Sequence, residues 1–235
     1  MPYRRLPNTD EARMRAITTA LRQAESVLPK DIAFSQAEFV RLRNVTQNFN
    51  QILITHRQSY KTRVQSNINY QESFKKTKLY VSHFIQVLNM CIARNEIPKT
   101  ARKLFGIGIN DKTVPNITSE EMLLEWGKIV LEGEKERVTK GGIAIYNPKI
   151  AIVKVEYDKF YDLFHYQKTL REIHDRASAK LDEYRKEVDD VILNIWNETE
   201  SHFEKISPEL KREFAGKYGI VYVYRKKEKQ LRQAV

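Results

Sequence analysis

Side chains with an apolar face recur along this chain at steps of three and four, over two long stretches. The first runs through Leu42, Val45, Phe49, Ile52, His56 and Tyr60, and resumes after a polar gap at Phe74, Val81, Ile85, Leu88 and Ile92. The second carries Phe160, Phe164, Ala177, Leu181, Tyr184, Val188, Val191 and Ile195. Such spacing places side chains on one face of an α-helix. Neither stretch contains a breaker: Lys30–Ile97 (68 residues) and Lys149–Ser207 (59 residues) lack both glycine and proline, and all eight Gly and seven Pro lie elsewhere.

A single helix over the first run would be about 100 Å long at 1.5 Å per residue, so the Asn-rich gap Gln65–Gln71 is expected to turn it into a hairpin. In the second run the apolar density thins between Gln167 and Ser178, where a bend fits although no residue compels one. The fold class expected is all-α. Two long helical hairpins pack as an elongated up-and-down bundle, with a minor short strand at the C-terminus. Two hairpin units, 1–117 and 118–235, are expected to pack as one domain.

Shorter elements fill the rest. Asn8, Thr9 or Asp10 caps a helix from Glu11 to Val27, and Ser35 with Glu38 has capping-box spacing. Pro98 opens a short helix that Gly106 closes, and a loop follows to Pro115. Thr118 with Glu121 forms a second capping box before a helix that ends near Gly141–Gly142. Asn147–Pro148 then reads as an N-cap with proline at the first helical position, although the β-branched run Ile150–Val155 keeps a strand as an alternative. Ser207–Pro208 starts a helix ending at Gly216, and Ile220–Tyr224 reads as a strand, paired with Ile143–Tyr146. The charged tail Arg225–Arg232 is expected to be mobile. Pro98, Arg102 and Gly106 recur 110 residues later as Pro208, Arg212 and Gly216, which suggests two related halves.

Composition narrows the class. With 41% hydrophobic and 30% charged residues, the chain can bury a core. It has no apolar run near the ~20 residues that cross a bilayer. The basic start is followed by no apolar segment, so it is no secretory signal, and a cytoplasmic location is expected. Cys91 sits in an apolar helix face and reads as a buried thiol. Trp126 and Trp196 fall in apolar stripes and read as core.

The chemistry of catalysis is hard to find. No Glu-x-x-His, Cys-x-x-Cys, His-Glu-x-x-His, Gly-x-x-x-x-Gly-Lys or Gly-x-Ser-x-Gly occurs, and Asp162 with His165 is a lone carboxylate–histidine pair. Neither cofactor nor metal is expected, and the chain reads as non-catalytic. If a pocket lies between helices, His56, Tyr60 and His83 are the side chains that would line it. Charge is uneven: residues 1–110 hold 18 Lys+Arg against 7 Asp+Glu, while 111–235 hold 23 of each. Arg57, Lys61, Arg63, Lys75, Lys76 and Lys78 are the candidate basic surface for nucleic acid, although they are scattered as on ordinary solvated helices.

Several segments together resemble a family of uncharacterised bacterial proteins of similar length. They are Met1–Asp10, Val81–Asn89, Lys140-Gly-Gly with Asn147–Pro148, and Gly219–Arg225. The resemblance implies a bacterial protein and transfers no activity. The function expected is a helical scaffold or protein-interaction protein, possibly homodimeric. A nucleic-acid-associated protein is the second reading, and an enzyme or ligand carrier with an interhelical pocket the third.

Overall fold

The computed structural model describes residues 2–225. The charged-tail reading over residues 226–232 lies outside them. Among the described residues are five α-helices: α1 (Asp10–Glu25), α2 (Gln36–Ala93), α3 (Glu120–Thr139), α4 (Ile150–His202) and α5 (Pro208–Lys217). Two 3₁₀ segments, Pro29–Asp31 and Lys99–Phe105, and two short strands, β1 (Tyr3–Arg4) and β2 (Tyr222–Val223), complete them. The protein is all-α, as its pattern predicts.

The hairpin turns are not there. α2 holds 58 residues and α4 53, each as one helix. The reason lies in the phase of the buried stripe. Leu42, Phe49, His56, Arg63, Tyr70, Thr77, Phe84 and Cys91 stand seven residues apart throughout, so the Asn-rich stretch changes the polarity of the stripe but not its register. In α4 the same interval links Val153, Phe160, Gln167, His174, Leu181, Val188 and Ile195.

Compactness divides the chain into two units, neither matching 1–117 or 118–235. The first joins Met1–Ser59 to His174–Val235, and the second is Tyr60–Ile173. Each unit takes part of α2 and part of α4, which run antiparallel in both. In the first, Phe49 stacks near Tyr184 and His56 near His174; in the second, Tyr70 meets Phe160 and Thr77 donates to the Glu156 carbonyl at 2.9 Å. The 110-residue interval has a counterpart in element order. A shorter helix, a long helix and a short closing helix occur twice, with N-caps Thr9 and Ser119 separated by that interval. The closing elements differ, because the first is 3₁₀ with a left-handed Gly106 (φ 65°) and the second is α-helical.

The first unit's core gathers Ile17, Leu42, Phe49, Val188, Ile195 and Trp196 between α1, α2, α4 and α5. Thr9 Oγ1 accepts from Ala12 N, closing one free amide at the start of α1. Ser35 caps α2 weakly (3.4 Å), and Glu38 does not reach back to it. Glu198 of α4 accepts the Ser35 amide at 2.6 Å instead. β2 pairs antiparallel with β1 (Tyr3 opposite Val223), not with Ile143–Tyr146.

The second unit's core packs Val81, Phe84, Leu88, Phe105, Leu123, Val130 and Phe160. Ser119, rather than Thr118, caps α3 by accepting from Met122 N. Close approach to α3 needs two glycines. A Cβ on Gly133 would stand 2.6 Å from the Leu104 carbonyl oxygen, and one on Gly127 would meet the Tyr157 ring at 2.2 Å. Ile150–Val155 is the first turn of α4 and not a strand. That helix begins at Ile150, after a turn over residues 146–149 that contains a cis Asn147–Pro148 bond. Cys91 is buried here, and burial pushes its thiol above the ordinary value. No helix of the described residues is long and apolar enough to cross a membrane.

Candidate functional site

The three pocket candidates do not meet. His56 and His83 are half-buried on α2 in different units, and Tyr60 is exposed beneath the Arg63 guanidinium, 5.8 Å above its ring. His56 has a partner that periodicity did not suggest. The His174 ring lies 5.0 Å away, and its Nδ1 stands 3.1 Å from Ser59 Oγ.

Beside these rings, two forked ion pairs bind α1 to α4. Asp10 accepts from Arg185 at 2.8 and 2.7 Å, and Asp189 accepts from Arg13 at 2.8 and 2.9 Å. The hydrogen-bonded Arg185 holds the Asp10 carboxyl below its ordinary value of 3.8, aided by the charges of Arg13 and His56 and opposed by burial. A lowered value in the fold means that the carboxylate stabilises fully above the unfolded value and loses that contribution as pH falls through the folded one. Asp10→Asn is therefore expected to destabilise the protein at neutral pH, with the gap from the parent closing below about pH 3. Urea denaturation between neutral and acid pH measures the gap, and a gap that does not change with pH contradicts the assignment.

The basic candidates are partly spent on internal pairs. Arg57 reaches Glu11 at 3.0 Å and Lys76 reaches Glu156 at 2.7 Å. Lys61 and Lys75 are exposed, while Arg63 and Lys78 are half-buried. At about 100° per residue, Lys61 and Arg63 leave opposite sides of α2. Among the described residues, no three His, Cys, Asp or Glu side chains cluster as metal ligands.

The second unit offers a different kind of site. Between the C-terminal half of α3 and the first turns of α4 runs an apolar groove of about 550 Å³, floored by Leu131, Val138, Ala144, Ile150 and Ala151. Lys135 and Lys154 stand on its edges and form no ion pair among the described residues. Glu132 also lines it, 3.9 Å from Lys128. The loop that closes the groove is held from within. Glu134, wholly buried, accepts from Arg137 Nε at 2.7 Å, from Arg137 Nη2 at 2.8 Å and from the Ile145 amide at 3.0 Å, while Arg137 also donates to the Ile143 carbonyl at 2.6 Å. Ile145 thus turns inward and is buried, whereas Ile143 and Tyr146 are left 90% and 79% exposed on an anchored loop. The Lys149 ammonium sits 4.9 Å above the Tyr146 ring.

Sequence reading missed this site. Its signals were a Glu134–Arg137 pair at i, i+3 inside an apolar helix and an α4 start, Ile150–Val155, apolar on more sides than a bundle helix buries. By fold this is an all-α protein of two units, each crossed by antiparallel portions of two long helices. By site it is one that presents an apolar groove with free cationic edges. Set against known protein families, curated proteins and solved structures, the chain matches none.

Proposed function

We propose that this chain is a helical interaction scaffold, and that its α3–α4 groove docks an amphipathic helix with acidic flanks. The observation carrying the proposal is an apolar groove whose edges bear two lysines lacking internal partners, while its one buried carboxylate, Glu134, is neutralised by Arg137. Helix-in-groove recognition uses apolar anchors at i, i+3, i+4 and i+7, with flanking charges that set partner and orientation. Ile143 and Tyr146, exposed on a pinned loop beside the groove, extend the apolar surface; patches of this kind mark interaction sites. Because the loop is pinned, little ordering entropy opposes docking there.

A fluorescein-labelled synthetic helix with leucine at those four spacings and glutamate flanks provides the probe. It is expected to bind, and the same helix with lysine flanks is expected to bind at least about tenfold more weakly. Val138→Glu, at an exposed floor position, should weaken the acidic helix by a similar factor with circular dichroism unchanged. Equal binding of both peptides, or full binding by the variant, overturns the reading. A homodimer that Val138→Glu dissociates, seen by sedimentation, would make a second copy the occupant and overturn it as well.

A further inference from the structure

The first unit holds a second, unrelated cavity of about 620 Å³, bounded by the segment leading into α1, by α1 itself and by the turn from Gly216 to Val221. Its floor is apolar, formed by Ala16, Ile220 and the buried Trp196, and its polar lining is one-signed. Arg5 and Arg15 both line it, no aspartate or glutamate does, and neither arginine has a carboxylate partner among the described residues.

The neighbouring arginines show that this is not how the unit treats its cations. Arg4 donates to Asn197 and Glu200 at 2.8 and 3.2 Å, and Arg13 is forked onto Asp189. Arg5 has its backbone fixed by the Arg5 N to Val221 O bond at 2.9 Å, which holds the residue at the cavity edge while its guanidinium stays unpaired. Two unpaired guanidiniums over an aromatic floor match a dianionic head on an apolar body, because a phosphate monoester carries nearly two charges at neutral pH and guanidinium binds it in a planar fork. The volume falls in the range of small-molecule sites.

We infer that this cavity binds a phosphate monoester with an apolar body, its phosphate held between Arg5 and Arg15 and its body against Trp196 and Ile220.

Gly216 supplies a test that leaves the fold alone. It lines the cavity, lies within α5 and is not among the residues at positive φ, and a Cβ built on it meets nothing within 4 Å. Gly216→Leu therefore places its side chain in open space and relieves the helix of a glycine.

The experiment uses the full chain with Trp126→Phe, leaving Trp196 as the only tryptophan, and follows its emission together with titration calorimetry. Phenyl phosphate is expected to bind saturably. Inorganic phosphate, benzyl alcohol and phenylacetate are each expected to bind at least about tenfold more weakly, since each lacks the apolar body, the charge or the second charge. Arg5→Ala with Arg15→Ala should cost about tenfold or more and flatten the salt dependence. Gly216→Leu should abolish binding while melting no lower than the parent. The inference is overturned if phenyl phosphate gives neither emission change nor heat, if any of the three comparison compounds binds as tightly, or if the arginine pair or Gly216→Leu leaves binding intact.

Discussion

Replacing Glu134 with alanine is expected to destabilise the protein by about 3–5 kcal/mol, because it strands the buried Arg137 guanidinium without its counter-charge. Both side chains are almost wholly inaccessible (Arg137 7%, Glu134 1%), so water cannot take over. The same change removes the acceptor of the Ile145 amide, leaving a buried donor unsatisfied. Arg137→Ala should cost a similar amount, since it strands the carboxylate instead. The double replacement Glu134→Met with Arg137→Met removes both charges and is expected to recover much of the loss. It still frees the loop over 140–148, which should become a site of proteolytic cleavage and lose affinity for the acidic helix. Urea denaturation gives the energies and limited proteolysis the loop. A single replacement costing less than about 1 kcal/mol would show that the pair is not the anchor it is taken to be.

Phe160→Ala is expected to cost about 3–5 kcal/mol through the cavity it leaves. The ring is fully buried in the second unit and meets three others, Tyr70 at 5.7 Å, Phe74 at 5.8 Å and Phe164 at 6.3 Å. Phe160→Leu should lose distinctly less, because part of the volume is kept. The two tryptophans report the units separately, Trp126 packing on the second core and Trp196 lying in the first. Since α2 and α4 are continuous through both, the midpoint seen by Trp196 is expected to fall with that seen by Trp126. A Trp196 transition that stays in place while the other moves would contradict this.

How far the sequence disclosed the fold depends on the scale of the feature. The caps at Thr9 and Ser207, the Pro98-to-Gly106 segment and the breaker-free runs were legible because each rests on local stereochemistry. The turn expected at Gln65–Gln71 was not there, since weaker hydrophobicity is not a change of period. Arg63, between His56 and Tyr70, keeps the seven-residue interval with a polar side chain, and Gln167 does so between Phe160 and His174. Following the phase rather than the apolar density would have given two unbroken helices. The pairing of β2 with β1 joins residues more than two hundred positions apart, and no local pattern encodes that choice. The groove was illegible for another reason. Its floor is built partly of exposed alanines, which carry no signal until the two helices stand side by side.

The division of the cores across the chain bears on the order in which the protein is born. Residues 60–173 are contiguous, so the second core can close as soon as the start of α4 leaves the ribosome. The first cannot. Its ion pairs Asp10–Arg185 and Arg13–Asp189 join positions 175 and 176 apart, and at 5–20 residues per second α1 waits roughly 10–35 s for its partners to be made. During that interval Ile17, Leu42 and Phe49, all destined for burial, have no α4 to cover them. The N-terminal segment of this protein is thus the first part synthesised and the last to fold, and it is the part that a nascent-chain chaperone would have most reason to hold.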